Sequence, residues 1–282
     1  MQAVCAQETL QECPTNLEAA NLMGGASEIT FDAFLEADTL VLDEFSFAGQ
    51  ALLRESLSSA TFRFLAKQDR MAELNRSVTL LACQIDVPAM TTAAERDAHT
   101  DRVAAAIDAE LTAGGPVDLV VLPELGTLDY ARSCFDRIDE MAEPLDDSPT
   151  IDRLREVAAA HRTPVLAGMA RKGDPQDQAG SAFITHCITQ ALIGADGSVA
   201  GHYDKLHIAQ FGDSTEKDYF TRGDRLLVFE AGGFTFGTII CYDIRIPELS
   251  RILARRHGVD AILHPTAFCR DETFHTWHAV AT

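Results

Sequence analysis

Three residues with reactive side chains each stand at the end of a predicted strand. Glu124 follows Leu-Val-Val-Leu-Pro, Lys205 follows Gly-His-Tyr-Asp, and Cys241 follows Thr-Phe-Gly-Thr-Ile-Ile. A carboxylate, an ammonium and a thiol at the ends of neighbouring strands form a workable nucleophile site. In such a site Glu124 would be the general base, first for the thiol and later for water. Lys205 and the backbone N–H of Tyr242 would stabilise an oxyanion.

The stretch around Cys241 is the most distinctive of the three. The run that precedes it is uncharged and rich in β-branched residues, which predicts a buried strand. Pro247 then opens a predicted helix with an apolar face at Leu249, Ile252 and Leu253. A cysteine between a buried strand and a helix N-terminus is well placed to be a thiolate, because the helix dipole favours negative charge there.

Each of the three residues also has an ordinary structural explanation. Free cysteine is among the most buried residue types, so Cys241 could simply be a core residue. A glutamate or a lysine at the end of a strand is most often a solvated surface charge. Taken one at a time, the residues leave both interpretations open.

From residue 78 onward the apolar pattern alternates between strands and helices, which predicts an α/β fold with layers around a sheet. Helices are predicted over 93–111, 149–161, after Pro247 and over 275–282. Strands are predicted over 78–84, 117–122, 164–170, 183–193, 199–205, 226–230, 234–240 and 260–264. Asp196-Gly197 between two of them is typical of a hairpin turn.

Residues 1–70 differ from the rest of the chain. They are acidic, carry no recognisable chemistry, and are predicted to be a poorly packed N-terminal extension that ends before Met71. Residues 31–35 have apolar side chains near helical spacing, and 50–68 are predicted as an amphipathic helix. We therefore expect two units, an extension over 1–70 and the domain with the reactive residues over 71–282.

Composition excludes several classes of protein. The chain has 282 residues with a formal net charge of −20, which argues against nucleic acid or an anionic membrane as partner. Its seven cysteines are scattered without a C-x-x-C pair, which argues against a disulfide framework or a zinc site and favours a cytoplasmic setting. The histidines His202, His207 and His264 lack ligand spacing, so we expect no metal or organic cofactor.

Three motifs in sequence order carry a family resemblance. Val-Val-Leu-Pro-Glu-Leu, Tyr-Asp-Lys-Leu-His and Ile-Ile-Cys-Tyr-Asp-Ile-Arg-Ile-Pro-Glu-Leu resemble those of the nitrilase superfamily of carbon–nitrogen hydrolases, over about residues 78–282. The resemblance implies a Glu-Lys-Cys triad of Glu124, Lys205 and Cys241. It also implies a four-layer αββα sandwich, usually assembled as a homodimer or larger homo-oligomer. Family domains continue past the end of this sequence, so we expect the sandwich to lack its last elements.

The resemblance implies a second glutamate, which lies between the lysine and the cysteine in sequence. Glu216, in Ser-Thr-Glu-Lys-Asp-Tyr-Phe-Thr-Arg-Gly-Asp, fits that position and would orient Lys205 and the substrate amide. The competing interpretation is that Glu216 is one charge among several on an exposed loop.

The residues after the cysteine distinguish branches of the family. Nitrile-hydrolysing members typically have Cys-Trp-Glu, whereas this chain has the amidase-like Cys-Tyr-Asp and looks most similar to the omega-amidase branch. In that branch the arginine can bind a substrate carboxylate, which would make Arg245 a residue that selects the substrate. Phe268 is the second residue predicted to bind substrate. Alternatively, Arg245 pairs with Asp243 or Glu248. The nearby acidic pair at 271–272 would repel a substrate carboxylate, which leaves a neutral or cationic amide open.

The resemblance therefore predicts a cysteine amidase that releases ammonia from a small amide, such as an omega-amide of a dicarboxylic acid, through a thioester. Two alternatives remain open. One is an N-carbamoyl hydrolase with the same triad, and the other is a catalytically silent, truncated binding protein.

Overall fold

The computed structural model describes residues 2–8, 41–48, 57–65, 77–173, 185–209 and 214–268. The strands in these segments are β1 (Gln2–Glu8), β2 (Val41–Ala48), β3 (Leu57–Leu65), β4 (Ser77–Cys83), β5 (Leu119–Val121), β6 (Val165–Lys172), β7 (His186–Ile193), β8 (Val199–Asp204), β9 (Val228–Ala231), β10 (Phe234–Thr238) and β11 (Ala261–Phe268). The α-helices are α1 (Ala93–Gly114), α2 (Arg132–Phe135), α3 (Ile138–Met141), α4 (Pro149–His161), α5 (Glu216–Tyr219) and α6 (Pro247–Arg256).

The strands form two sheets. The seven-stranded sheet has the order β2-β3-β4-β5-β6-β7-β8, and the four-stranded sheet has the order β1-β11-β10-β9. Strands β4, β5 and β6 run parallel to one another, as do β1, β11 and β10. The remaining pairs are antiparallel. The carboxyl ends of the parallel strands in each sheet therefore lie at one edge, where loops can carry functional residues.

The two long helices begin at residues that cap them. The Thr92 side chain accepts a hydrogen bond from the Glu95 N–H while Glu95 bonds back to Thr92, which is a capping box at the start of α1. Ser148 accepts from the Ile151 N–H at the start of α4, and Pro149 occupies its first turn. Both helices therefore start where the sequence predicts.

The sheets pack face to face through a shared apolar layer. In β4, β5 and β6, residues of one parity point into this layer, as the two-residue period of a strand requires. The layer comprises Val78, Leu80, Leu119, Val121, Leu166 and Leu192 from the large sheet, with Ala231, Phe234, Phe236, Ala261 and Leu263 from the small one.

Helices cover the outer face of each sheet. Ile107 of α1 and Leu154 of α4 pack with Val120 and Val165 on the seven-stranded sheet. Helix α6 packs on the four-stranded sheet through a cluster that includes Leu253. The order of layers is helix, sheet, sheet, helix, which confirms the predicted αββα sandwich.

The segment before residue 70 differs from the prediction. A helix was expected over 50–68, but Leu57–Leu65 form β3, which pairs antiparallel with β2 on one side and β4 on the other. Pairing with distant strands overrides a local helical pattern because strand stability comes from cross-strand neighbours. The near-helical apolar spacing at 31–35 and the helix predicted over 275–282 lie outside the described residues.

Among the described residues, no helix combines the length and apolarity that crossing a bilayer would require.

Candidate active site

Three strand ends meet at one buried site between the two sheets. Glu124 lies just beyond β5 and Lys205 directly follows β8, both in the seven-stranded sheet. Cys241 lies just beyond β10 of the four-stranded sheet. The side chains of Glu124 and Lys205 are 0% exposed, and Cys241 is 6% exposed. The ordinary explanation of Glu124 and Lys205 as solvated surface charges is therefore wrong.

Lys205 connects two carboxylates. Its Nζ donates to Glu124 Oε1 across 2.6 Å and to Glu216 Oε1 across 2.8 Å. Glu216 is itself 0% exposed, so the interpretation of this residue as a solvated loop charge is also wrong. Charges this deeply buried are tolerated when they are paired and hydrogen-bonded, and all three side chains meet that condition.

The second oxygen of each carboxylate is held by the backbone. Glu124 Oε2 accepts from the Ala267 N–H across 2.9 Å, which joins the site to β11. Glu216 Oε2 accepts from the Ala209 N–H across 2.7 Å. Because both oxygens of each carboxylate have partners, neither side chain can rotate without losing a charge-assisted hydrogen bond.

Tyr130 is a member of this cluster that the sequence did not reveal. Its hydroxyl donates to Glu216 Oε1 across 2.5 Å and lies 3.0 Å from Ser214 Oγ. Burial raises the pKa of Tyr130 well above its ordinary value, and Glu216 adds to the rise, so the phenol keeps its proton. Tyr130 lies in an irregular loop where no periodic pattern marks it.

The charges in the cluster shift one another's pKa values. Burial raises the pKa of Glu124, Lys205 opposes that rise, and Glu216 adds to it. Burial alone would lower the pKa of Lys205, but the two carboxylates raise it well above its ordinary value. Lys205 therefore stays an ammonium, and Glu124 is a stronger proton acceptor than a solvated carboxylate.

Cys241 stands at a sharp elbow. Its φ is 44°, a left-handed conformation that is uncommon outside glycine, and it begins a 3₁₀ turn over Cys241–Arg245. Burial raises the pKa of its thiol well above the ordinary value, and Glu124 adds to the rise both by its charge and by a hydrogen bond. The thiolate expected from the sequence is thus not the resting form. The 3₁₀ turn separates Cys241 from α6, and the carboxylates outweigh Lys205.

Asp243 holds the elbow from within. Its carboxylate accepts from the Ile240 N–H at 3.0 Å, the Tyr203 hydroxyl at 2.7 Å and the His207 N–H at 2.8 Å. On the other side, His264 Nε2 lies 2.8 Å from the backbone oxygen of Cys241. These contacts fix the turn whose strained residue carries the thiol.

The loop that carries Glu124 requires a glycine beneath it. A Cβ on Gly168 of β6 would lie 1.9 Å from the Pro123 oxygen, which no side chain tolerates. Gln190 of the neighbouring strand donates to the same oxygen across 3.3 Å. The backbone before Glu124 is therefore seated directly on the sheet.

The two residues predicted to bind substrate, Arg245 and Phe268, lie at the elbow and at the end of β11. The Arg245 guanidinium lies 5.9 Å from the centre of the Tyr242 ring, a cation–π contact at the elbow. Tyr242 itself is partly exposed. Phe268 is the last residue of β11. The acidic pair at 271–272 lies outside the described residues.

In the part of the chain that the structure describes, no three His, Cys, Asp or Glu side chains are grouped so as to hold a metal ion.

Comparison with known protein families identifies the family of the domain. A family model described as carbon–nitrogen hydrolase matches residues 78–282. The chain belongs to the carbon–nitrogen hydrolase family. The matched residues of this carbon–nitrogen hydrolase include all three strand ends and Glu216.

Two curated relatives illustrate the family. The omega-amidase of Saccharomyces cerevisiae is 25% identical over 194 residues, which cover 66% of this chain and 64% of the relative. The N-carbamoylputrescine amidase of Solanum lycopersicum is 29% identical over 203 residues, which cover 70% of this chain and 61% of the relative. The carbon–nitrogen hydrolase chain thus spans about half to two thirds of the length of the curated relatives it matches.

A solved structure has the same fold. The crystal structure of Nit3 from Saccharomyces cerevisiae, described as a member of branch 10 of the nitrilase superfamily, matches with a TM-score of 0.56 at 24% identity. The match covers 68% of this chain and 66% of that one. The carbon–nitrogen hydrolase therefore has a nitrilase-superfamily fold.

Proposed function

We propose that this carbon–nitrogen hydrolase is a cysteine amidase that uses Cys241, Glu124 and Lys205. The observation that carries the proposal is the buried Lys205 ammonium, bonded to both Glu124 and Glu216 beside the Cys241 thiol. A nucleophile, a base and a cation in one dry site are what acyl transfer requires.

The first half of the reaction forms a thioester. The thiol proton of Cys241 passes to Glu124 as sulfur bonds to the amide carbon, and the carbonyl electron pair moves onto oxygen. Lys205 and the N–H of Tyr242 stabilise the resulting oxyanion. Glu124 then gives the proton to nitrogen, the carbon–nitrogen bond breaks, and ammonia leaves. Because the resting thiol is protonated, transfer to Glu124 has to accompany the attack.

The second half hydrolyses the thioester. Glu124 takes a proton from a water molecule as the water oxygen bonds to the acyl carbon. Lys205 and the Tyr242 N–H stabilise the second oxyanion. The carbon–sulfur bond then breaks and sulfur takes the proton back from Glu124. The products are one carboxylic acid and one ammonia for each amide and water consumed.

Glu216 acts by positioning. It shares Lys205 with Glu124 and is anchored by the Ala209 N–H and the Tyr130 hydroxyl. In this role it holds the ammonium where the oxyanion forms and provides an oxygen beside the substrate amide. Geometry held to within about half an ångström is what such sites need.

Arg245 gives the proposal its substrate class. Arg245 lies in the same 3₁₀ turn as Cys241, and a guanidinium suits a carboxylate at the far end of a small amide. Similarity to the omega-amidase supports this assignment. The acidic pair at 271–272 would weaken such binding if it faced the substrate. We therefore propose an omega-amide of a dicarboxylic acid as first choice, with amides lacking the carboxylate as the comparison.

The second candidate is an N-carbamoyl hydrolase. The similarity to N-carbamoylputrescine amidase, which covers more of this chain than the omega-amidase match, favours it. The same residues would perform the chemistry, but the acyl group would be a carbamoyl group. Its hydrolysis releases carbon dioxide as well as ammonia, so the products separate the two candidates.

The test is an ammonia assay on a panel of amides with and without a distal carboxylate, alongside N-carbamoyl amines. We expect turnover by the unchanged chain and none by Cys241→Ala, with both folded by circular dichroism. Cys187→Ala is the matched control, because Cys187 is also buried and lies in β7, where it should leave turnover intact. Equal ammonia release by Cys241→Ala would overturn the proposal, and no turnover by the unchanged chain would favour a silent binding protein.

A further inference from the structure

His264 contacts the peptide that follows the nucleophile. It lies in β11, is 1% exposed, and its Nε2 is 2.8 Å from the Cys241 carbonyl oxygen. A carbonyl oxygen can only accept, so Nε2 must carry the proton in this contact. In a neutral ring Nδ1 is then the nitrogen without the proton, and it has no hydrogen-bond partner among the described residues. Burial lowers the pKa of His264 to about 4, so the ring is neutral at pH 7.

The Cys241 carbonyl and the Tyr242 N–H belong to the same peptide group. No cis peptide bond occurs in the described chain, so the C=O and N–H of this group point to opposite sides. A donor that fixes the carbonyl on one side therefore fixes the direction of the N–H on the other. A hydrogen bond to the carbonyl also polarises the peptide and makes its N–H a stronger donor.

This peptide needs outside support. The φ of 44° at Cys241 is a sparsely populated conformation, which persists only where surrounding contacts enforce it. The Asp243 carboxylate holds the backbone before Cys241 through the Ile240 N–H. Its other hydrogen bonds go to Tyr203 and His207, so none of these bonds holds the Cys241 carbonyl. The His264 contact supplies that constraint.

We propose that His264 is a positioning residue that aims the Tyr242 N–H at the oxyanion and strengthens it as a donor. The inference rests on the proposed function, in which that N–H receives the negative charge. His264 touches neither substrate nor thiol in this role. It acts through one peptide group, so it should affect steps that place charge on the substrate oxygen and spare those that do not.

The peptide can be observed directly by NMR. Cys241-Tyr242 is the only Cys-Tyr pair in the sequence, so labelling cysteine carbonyls with ¹³C and tyrosine nitrogens with ¹⁵N gives one HNCO peak. We expect His264→Leu to move the Cys241 carbonyl resonance upfield, because a hydrogen bond is lost. His264→Gln, whose amide nitrogen can stand in for Nε2, should leave the peak near its original position. Should the leucine variant not fold, His264→Asn replaces it, because its amide is too short to reach.

Kinetics supply the second readout. We expect His264→Leu to lower kcat on the best amide by about 10- to 100-fold with KM within about 3-fold, a smaller loss than the roughly 10²- to 10³-fold for deleting an oxyanion donor. His264→Gln should recover most of it. Alkylation of Cys241 by iodoacetamide attacks a saturated carbon and places no charge on a substrate oxygen. Its rate should therefore stay within about 3-fold in both variants.

A control separates positioning from loss of stability. Leu111→Ala removes a buried side chain at the far end of α1, so it should lower the midpoint of urea unfolding without changing kcat. An unmoved HNCO peak, an unchanged kcat, or an alkylation rate that falls in step with kcat would each overturn the inference. If the unchanged chain hydrolyses no amide, the proposed function fails on its own, and the HNCO peak still decides whether His264 holds the Cys241-Tyr242 peptide.

Discussion

Lys205 Nζ donates to Glu124 Oε1 across 2.6 Å, and neither side chain has any exposed surface. The same ammonium bonds Glu216, so one cation serves two buried carboxylates. Burial is the main cause of the raised pKa values of Glu124 and of the Cys241 thiol, and Glu216 adds to both while Lys205 opposes them. In the proposed mechanism, protonation of Glu124 removes one negative charge beside Lys205, so nucleophilic attack and proton transfer would be coupled.

Removing the cation should destabilise the fold. Lys205→Met leaves Glu124 and Glu216 buried without a counter-charge, which typically costs about 3–5 kcal/mol. Protonating the carboxylates relieves this cost, so the loss should be larger at pH 7.5 than at pH 5. Urea unfolding at both pH values measures it. Lys217→Met, an exposed lysine in α5, is the control and should change the unfolding free energy little. A loss that does not depend on pH would contradict the charge explanation.

The Tyr130 hydroxyl should contribute to catalysis through Glu216. A hydrogen bond to a charged group is worth about 1.5–3 kcal/mol, so Tyr130→Phe should lower kcat by roughly 10- to 100-fold as Glu216 and Lys205 lose their fixed positions. Tyr219→Phe removes a comparable bond to exposed Asp136 and should leave kcat unchanged. Steady-state kinetics on the same amide compares them, and equal effects from both tyrosines would contradict this role.

Close packing of the Glu124 loop should make Gly168 intolerant of any side chain. The Cβ of Gly168→Ala would lie 1.9 Å from the Pro123 oxygen, and backbone must move to relieve it. We expect the unfolding free energy to fall by about 1–3 kcal/mol and most amide turnover to be lost. Gly114→Ala is the control, because nothing lies within 4 Å of its Cβ position. Turnover retained in Gly168→Ala would show that the loop can shift without harm.

Local patterns in the sequence were enough for much of the domain. The helix over 149–161 has the bounds predicted for it, because Ser148 and Pro149 mark its start, and the strand-turn-helix around Cys241 follows from residues next to it. The αββα layers and the family were predicted from three motifs and are confirmed. The burial of Glu124 and Lys205 could not be read from single residues, because it depends on the meeting of both sheets.

The contacts that the sequence missed join distant parts of the chain. Tyr130 reaches Glu216 and His264 reaches Cys241, and no local period marks either pair. The helix predicted over the residues of β3 is wrong because the pairing of this strand with β2 and β4 leaves no mark in its local pattern. The state of the Cys241 thiol was mispredicted for a similar reason, since burial and two distant carboxylates decide it rather than the neighbouring helix.

Stability should fall with acid partly because of His264. Its pKa is lowered from 6.5 to about 4 by burial, with Asp243 opposing the shift and Lys205 adding to it. Between these values the unfolded chain binds more protons, so stability rises with pH from about 4 to 6.5, by about 3 kcal/mol at about 1.4 kcal/mol per pH unit. His264→Gln cannot be protonated and should lose this slope while keeping the contributions of all other groups. Urea unfolding of both chains at half-unit intervals from pH 4 to 7.5 gives the difference. The unfolding free energy of the variant, relative to that of the unchanged chain, should increase as pH falls. A difference that does not change with pH would mean that the pKa of His264 in the folded protein is the ordinary 6.5.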